Sequence, residues 1–164
     1  MPALLDQLAQ LAQTPTLLLA TAGHAARQTT ALLGPTLRRG ALRAVELPAL
    51  SQPDYDHLLW AADLNFVRGE DSFVRAQWAG KPFVWHIYPQ HDDVHLAKLE
   101  AFLDRFGAEP ELRAFWHAWN LANASLPLLP AVTPWRHRCG IWRDSLLTQP
   151  DLATQLIGFA TERR

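Results

Sequence analysis

Apolar positions in the first part of the chain alternate between two periods, which predicts alternating helices and strands. Residues 2–13 carry leucines at helical spacing, and residues 16–20 form a short run that is apolar throughout. The pattern then repeats, with predicted helices over 24–33, 54–61 and 70–79 and predicted strands over 41–47, 63–67 and 82–87. A strand that is apolar on both faces is typical of a parallel sheet covered by helices. We therefore predict an α/β fold with a Rossmann-like parallel sheet and right-handed crossovers.

The rest of the chain has a different pattern, because only helical periodicity follows the fourth predicted strand. Predicted helices cover 94–106, 110–122, 135–147 and 151–162, and a proline stands at or just before the start of the last three. We expect a Rossmann-like core over 1–106 and a helical C-terminal extension over 107–164 that packs on the same domain.

The composition indicates one soluble folded domain. Of the 164 residues, 49% are hydrophobic and 19% are charged, which excludes a disordered tail. The net charge of −1 argues against nucleic acid and anionic membranes as partners, since these usually require a basic excess. No apolar run approaches the roughly 18 residues that cross a bilayer. Cys139 is the only cysteine, so we expect a small buried thiol and a reducing, cytoplasmic location.

The loops that follow the predicted strands are the expected ligand site, because open parallel sheets bind ligands beyond the carboxyl ends of their strands. These loops cover residues 21–24, 47–55, 67–71 and 87–93. The run RGEDS at 68–72 opens a helix, and the free N–H groups and positive dipole end of a helix start suit a phosphate. The alternative is helix capping, because acidic residues in a first turn stabilise a helix without any ligand. The residues alone leave both interpretations open.

A metal site is a further possibility at this edge. His86, His91 and His95 occur with Asp92 and Asp93, and imidazoles four residues apart on a helix can share an ion. The two aspartates also fit the N-terminus of a helix that begins at 94, which explains them without a metal. We therefore predict no metal. The sequence has no Walker-type loop and no Gly-x-Gly-x-x-Gly run, which weakens nucleotide triphosphatase and dinucleotide interpretations.

Three nearly contiguous runs resemble a known family. They are DYDHLLW at 54–60, DLNFVRGEDSFVRAQWAGKPF at 63–83 and WHIYPQ at 85–90. Together they resemble the C-terminal half of the bacterial elongation factor P arginine rhamnosyltransferases, the EarP family, and the similarity is strongest over about 52–106. A contiguous match of this length is far more specific than a short motif.

The resemblance implies a glycosyltransferase of the GT-B arrangement, with two facing Rossmann-like domains. The C-terminal domain of the family binds the donor, dTDP-β-L-rhamnose, so residues 1–106 would form a nucleotide-sugar-binding core. The N-terminal domain supplies an aspartate general base and receives elongation factor P. Rhamnose passes to an arginine of that protein with inversion and without a metal or other cofactor. The alternatives are a dTDP-sugar-binding module without turnover and an interaction protein, each lacking the N-terminal domain.

The resemblance also assigns residues. Glu70 matches the essential glutamate of the family and is the expected catalytic residue. The residues expected to bind the donor are Gln52 and Tyr55 at the thymine, Asp71 and Ser72 at the sugar and diphosphate, and Arg68 and Tyr88 nearby. The family has an aromatic residue at the position of Ala49, so the thymine contacts would differ here.

Glutamate suits the expected chemistry, because a guanidinium is protonated at neutral pH and is a poor nucleophile. A carboxylate beside it can orient the group and localise its charge so that one nitrogen attacks the sugar. Glu70 suits this role, and holding the sugar is the alternative role for it.

Overall fold

The computed structural model describes residues 1–10, 15–90, 92–121 and 124–162. The helices are α1 (Pro2–Ala9), α2 (His24–Leu33), α3 (Gln52–Ala61), α4 (Glu70–Ala79), α5 (Val94–Phe106), α6 (Pro110–Asn120), α7 (Val132–Leu147) and α8 (Leu152–Glu162). The strands are β1 (Thr16–Ala20), β2 (Arg38–Arg39), β3 (Leu42–Glu46), β4 (Asn65–Arg68) and β5 (Phe83–His86). Every predicted helix and strand is present. The predicted end of the first helix, over 11–13, lies outside the described residues, as does position 122.

The predicted parallel pairing is confirmed. β1 pairs with β3 in parallel, with Leu18 opposite Ala44, and β4 pairs with β5 in parallel, with Val67 opposite Trp85. The described strands form two sheets rather than one continuous sheet, in the orders β1-β3-β2 and β4-β5. The α/β, Rossmann-like fold class nevertheless holds, because a helix lies between the two parallel strands of each sheet, α2 between β1 and β3 and α4 between β4 and β5.

A short antiparallel strand, β2, was not predicted. It pairs with β3 through a turn at Gly40, where the backbone adopts φ +55°. Glycine is required there for a second reason, because a Cβ atom would lie 2.5 Å from the carbonyl oxygen of Ala9. Two residues are too few for a periodic signal, so hydrophobic pattern could not reveal this strand.

Aromatic and aliphatic side chains from both sheets and from helices α1 to α7 share one buried core. Its most deeply buried members, all at most 1% exposed, include Leu5, Val84, Leu99, Phe115 and Trp116. The predicted burial of Cys139 is confirmed. Its thiol is 1% exposed, and burial raises its pKa to about 12, so it is held in the unreactive protonated form.

Two apolar surfaces do not follow the predicted pattern. Leu17 and Leu19 of β1 are 56% and 36% exposed, although this strand was expected to be buried on both faces. Helix α8 has no buried residue, and its Leu152 and Ile157 are 70% and 66% exposed. No helix among the described residues is both long and apolar enough to cross a membrane.

Candidate functional site

An open cleft of about 340 Å³ lies where β1, β3 and β4 end. It is lined by residues from the loops and helix starts that follow these strands, namely Thr21, Ala22, Ala49, Leu50, Gln52, Tyr55, Asp71, Ser72 and Arg75. Three of the four loops expected to form the ligand site therefore meet at one place. The fourth, over 87–93, contributes no lining residue among its described positions.

The start of α3 presents Gln52 and Tyr55 to the cleft. Ser51 is the N-cap residue, and its Oγ accepts a hydrogen bond from the backbone N–H of Asp54 at 3.3 Å. This cap begins the helix at Gln52, two residues before the predicted start, so that Gln52 and Tyr55 lie about one turn apart. The Ser-x-x-Asp spacing was a readable signal for this earlier start.

The start of α4 is anchored by its backbone and by the end of β5. Gly69 is the N-cap residue with φ +79°, and it offers no capping side chain. Its carbonyl accepts a hydrogen bond from Trp85 Nε1 at 3.1 Å. A Cβ atom at this position would lie 2.9 Å from Tyr88 Cε2, so glycine alone fits. The first-turn N–H groups of α4 therefore receive no side-chain cap, and Asp71 and Ser72 of this turn line the cleft.

Arg75 links α3 to α4 at the floor of the cleft. Its Nη1 donates to both carboxylate oxygens of Asp56, at 3.0 and 2.9 Å, and its Nε donates to Asp71 Oδ2 at 2.9 Å. These hydrogen bonds, to Asp56 first and then to Asp71, raise the pKa of Arg75. The pair with Asp71 follows from their spacing of four residues on one helix. The pair with Asp56 depends on the packing of two helices and has no local signal.

Glu70 lies beside the cleft rather than among its lining residues. It is the first residue of α4, is exposed, and makes no ion pair with any described residue. Its neighbours Asp71 and Ser72 line the cleft, so Glu70 begins the helix whose first turn contributes two lining residues.

Arg68 and Tyr88 form a separate pair. The Arg68 guanidinium carbon lies 4.9 Å from the centre of the Tyr88 ring, in a cation–π contact. Tyr88 is 47% exposed and covers Gly69. Four of the seven predicted site residues, Gln52, Tyr55, Asp71 and Ser72, thus meet in the cleft, while Glu70, Arg68 and Tyr88 lie outside its lining.

The histidines considered as metal ligands have other surroundings. His95 is buried, and its Nδ1 accepts a hydrogen bond from the backbone N–H of Gln90 at 3.2 Å. His91 lies outside the described residues. Among the residues that the structure describes, no group of three or more potential ligands is close enough to share an ion.

His86, at the end of β5, makes the stability of the fold dependent on pH. Burial, and then the positive charges of Arg68, His24 and the N-terminal amine, lower its pKa below the ordinary value of 6.5. In the window between the lowered value and 6.5, the unfolded chain binds the proton and the native chain does not. We therefore expect the free energy of unfolding to have its full value above that window and to decrease as the pH falls through it.

Urea denaturation between pH 8 and pH 5 measures this effect. His86→Asn should flatten the decrease, whereas His137→Asn, a change at an exposed histidine of α7, should leave it intact. Equal slopes in the wild type and in His86→Asn would show that another group is responsible.

Comparisons with known proteins give one consistent family. Residues 1–161 match the family model described as Elongation-Factor P (EF-P) rhamnosyltransferase EarP. The protein-arginine rhamnosyltransferase of Pseudomonas aeruginosa is 46% identical over 97% of this chain and 46% of its own length. The enzyme of the same name from Pseudomonas putida is 44% identical over 77% of this chain and 36% of its own length.

A solved structure has the same fold. It is described as "Structural basis for EarP-mediated arginine glycosylation of translation elongation factor EF-P", and it aligns with a TM-score of 0.81 and 37% identity over 99% of this chain and 56% of its own. The chain thus spans about half the length of the curated relatives it matches. On the family match and these similarities, the chain belongs to the EarP family of elongation factor P rhamnosyltransferases.

Proposed function

We propose that this chain is the donor-binding half of a protein-arginine rhamnosyltransferase. It would bind dTDP-β-L-rhamnose, whose sugar passes with inversion to an arginine of translation elongation factor P. The observation that carries the proposal is the cleft itself, in which Gln52 and Tyr55 from α3 face Asp71 and Ser72 from α4. Two separate segments that match the family motif thereby form one surface of the size and polarity that a nucleotide sugar needs.

The two sides of the cleft suit the two ends of the donor. The α4 side offers free first-turn N–H groups, the Ser72 hydroxyl and the nearby Arg75 guanidinium, which together would stabilise a diphosphate. The α3 side offers the Tyr55 ring for stacking on thymine and the Gln52 amide for hydrogen bonds to its polar edge. Donor binding on this plan needs no metal.

Glu70 would act on the acceptor. Its carboxylate is exposed and forms no ion pair within the described part of the chain, so it could hold a guanidinium against the sugar. The aspartate base and the surface that receives elongation factor P would come from the half of the relatives that this chain does not span. Because this chain spans only about half the length of its relatives, a dTDP-sugar-binding module without turnover is the second candidate.

Calorimetric titration with dTDP tests donor binding in the chain as it stands. We expect one site per chain, unchanged by EDTA. Ser72→Ala should weaken binding about tenfold or more, because a hydrogen bond to a charged group contributes about 1.5–3 kcal/mol. Ser145→Ala, at an exposed serine of α7, should not. If dTDP produces no saturable heat, the donor site is refuted and an interaction protein becomes the better interpretation.

A further inference from the structure

β1 has one edge that pairs with none of the described strands. Its ladder to β3 begins where the Thr16 N–H donates to the Ala41 carbonyl at 3.1 Å. Alternate residues of a parallel strand direct their backbone groups to opposite edges. The N–H and C=O groups of Leu17 and Leu19 therefore point away from β3, toward an edge where no described strand pairs.

β4 has a matching open edge. Its ladder to β5 includes the hydrogen bonds from Asn65 N–H to the Pro82 carbonyl, at 2.9 Å, and from Gly69 N–H to the His86 carbonyl, at 3.4 Å. By the same alternation, the backbone groups of Phe66 and Arg68 point away from β5. No ladder joins this edge to another described strand.

The two open edges belong to strands that run in the same direction and end together. Thr21 and Ala22 follow the end of β1. Asp71 and Ser72 lie in the first turn of α4, which follows the end of β4, and all four residues line the same cleft. No residue that follows β5 lines it within the described chain. β4 is therefore the strand of its sheet that lies nearer to β1, and the two open edges face each other.

Helix α1 crosses the first sheet like the helix of a β-α-β unit. At its end, the Ala9 carbonyl accepts a hydrogen bond from Ala41 N–H at 3.2 Å, beside the start of β3. At its beginning, the charge of the N-terminal amine acts on His86, at the end of β5. α1 therefore runs antiparallel to the strands, from their carboxyl ends to their amino ends, and leads into β1.

The position of α1 indicates where a strand that leads into it would lie. Arg39 bonds to Asp6 of α1 and to the Leu32 carbonyl of α2, so both helices cover the same face of the sheet. α2 connects β1 to β3 in one direction along the sheet. A right-handed crossover through α1 on that face requires a strand on the other side of β1, which is the side that faces β4.

We propose that the space between β1 and β4 is a docking slot for one extended apolar strand, parallel to both, from the half of the relatives that this chain does not span. Both flanking edges offer N–H and C=O groups, so the strand would be hydrogen-bonded along its two sides. A central strand of a covered parallel sheet is buried on both faces, which calls for aliphatic and aromatic residues. The exposed Leu17 and Leu19 would then be covered. This inference is independent of the proposed donor.

Hydrogen exchange with a synthetic peptide tests the slot in the intact chain. The probe is an acetylated and amidated peptide with five alternating valines and phenylalanines, the length of β1, between pairs of lysines. The control is the same peptide with an N-methyl group on each of the five apolar residues, which keeps the apolar side chains and blocks hydrogen bonding along both edges of the strand. NMR is used to follow the amides of Leu17, Leu19, Phe66 and Arg68.

We expect the unmodified peptide to slow exchange at these four amides by about tenfold or more, and the methylated peptide to leave them unchanged. Equal protection by both peptides, or protection by neither, would overturn the proposal. Protection that depends on protein concentration without any peptide, together with a dimer in sedimentation, would also overturn it, because a second copy would then occupy the edges.

Discussion

Glu70→Gln should lower the rate of rhamnose transfer by about 10²–10³-fold while leaving dTDP affinity nearly unchanged. Glutamine has the size of glutamate but no charge, so it cannot hold a protonated guanidinium in place. Donor affinity should persist because Glu70 lies outside the lining of the cleft. The assay combines this chain with a polypeptide that supplies the relatives' remaining half, and mass spectrometry measures rhamnose on elongation factor P.

Glu111→Gln is the matched control for Glu70. Glu111 is also an exposed acid in the first turn of a helix, α6, so its replacement reports the cost of removing such a charge alone. Transfer by Glu70→Gln at close to the wild-type rate would remove Glu70 from the catalytic role. Loss of dTDP binding together with transfer would instead make Glu70 a donor ligand.

Phe83→Ala should lower the free energy of unfolding by about 3–5 kcal/mol, a large share of the 5–15 kcal/mol typical of a domain. Phe83 is 1% exposed, and its ring lies 5.3–6.2 Å from four other aromatic rings, those of Phe73, Phe102, Phe106 and Trp116. Truncation would remove the contacts of the ring and leave a cavity among side chains that cannot all relax into it.

Urea denaturation followed by circular dichroism measures the loss. Leu128→Ala serves as the control, since Leu128 is 83% exposed and its truncation should change stability by about 0.5 kcal/mol or less. If Phe83→Ala is no more destabilising than Leu128→Ala, the aromatic cluster is not the centre of the core.

Local pattern was sufficient to predict the helices, the longer strands and the position of the cleft. The start of α4 was predicted within the run RGEDS at 68–72, and the meeting of three loops followed from parallel strand direction. The hydrophobic pattern could not predict contacts that depend on how the elements pack against one another. The bidentate contact of Arg75 with Asp56 joins residues that are 19 positions apart on different helices, and no periodicity reports it.

The exposed face of β1 shows a second limit. An unbroken apolar run predicts burial, but Leu17 and Leu19 remain exposed, and no described strand pairs with the outer edge of β1. Arg68 and Tyr88 also could not be assigned from pattern alone. Both end or follow strands at the correct edge, yet they contact each other, and Tyr88 covers Gly69 instead of lining the cleft.

The hydrogen bond from Trp85 to the Gly69 carbonyl has a consequence for how an anion would be received. Because Gly69 is also bonded to His86 and covered by Tyr88, the first turn of α4 acquires its shape when the protein folds. An arriving anion would find aligned amides and would not have to order a loose loop. Association should then be limited by diffusion into the cleft, and little conformational entropy should be lost on binding.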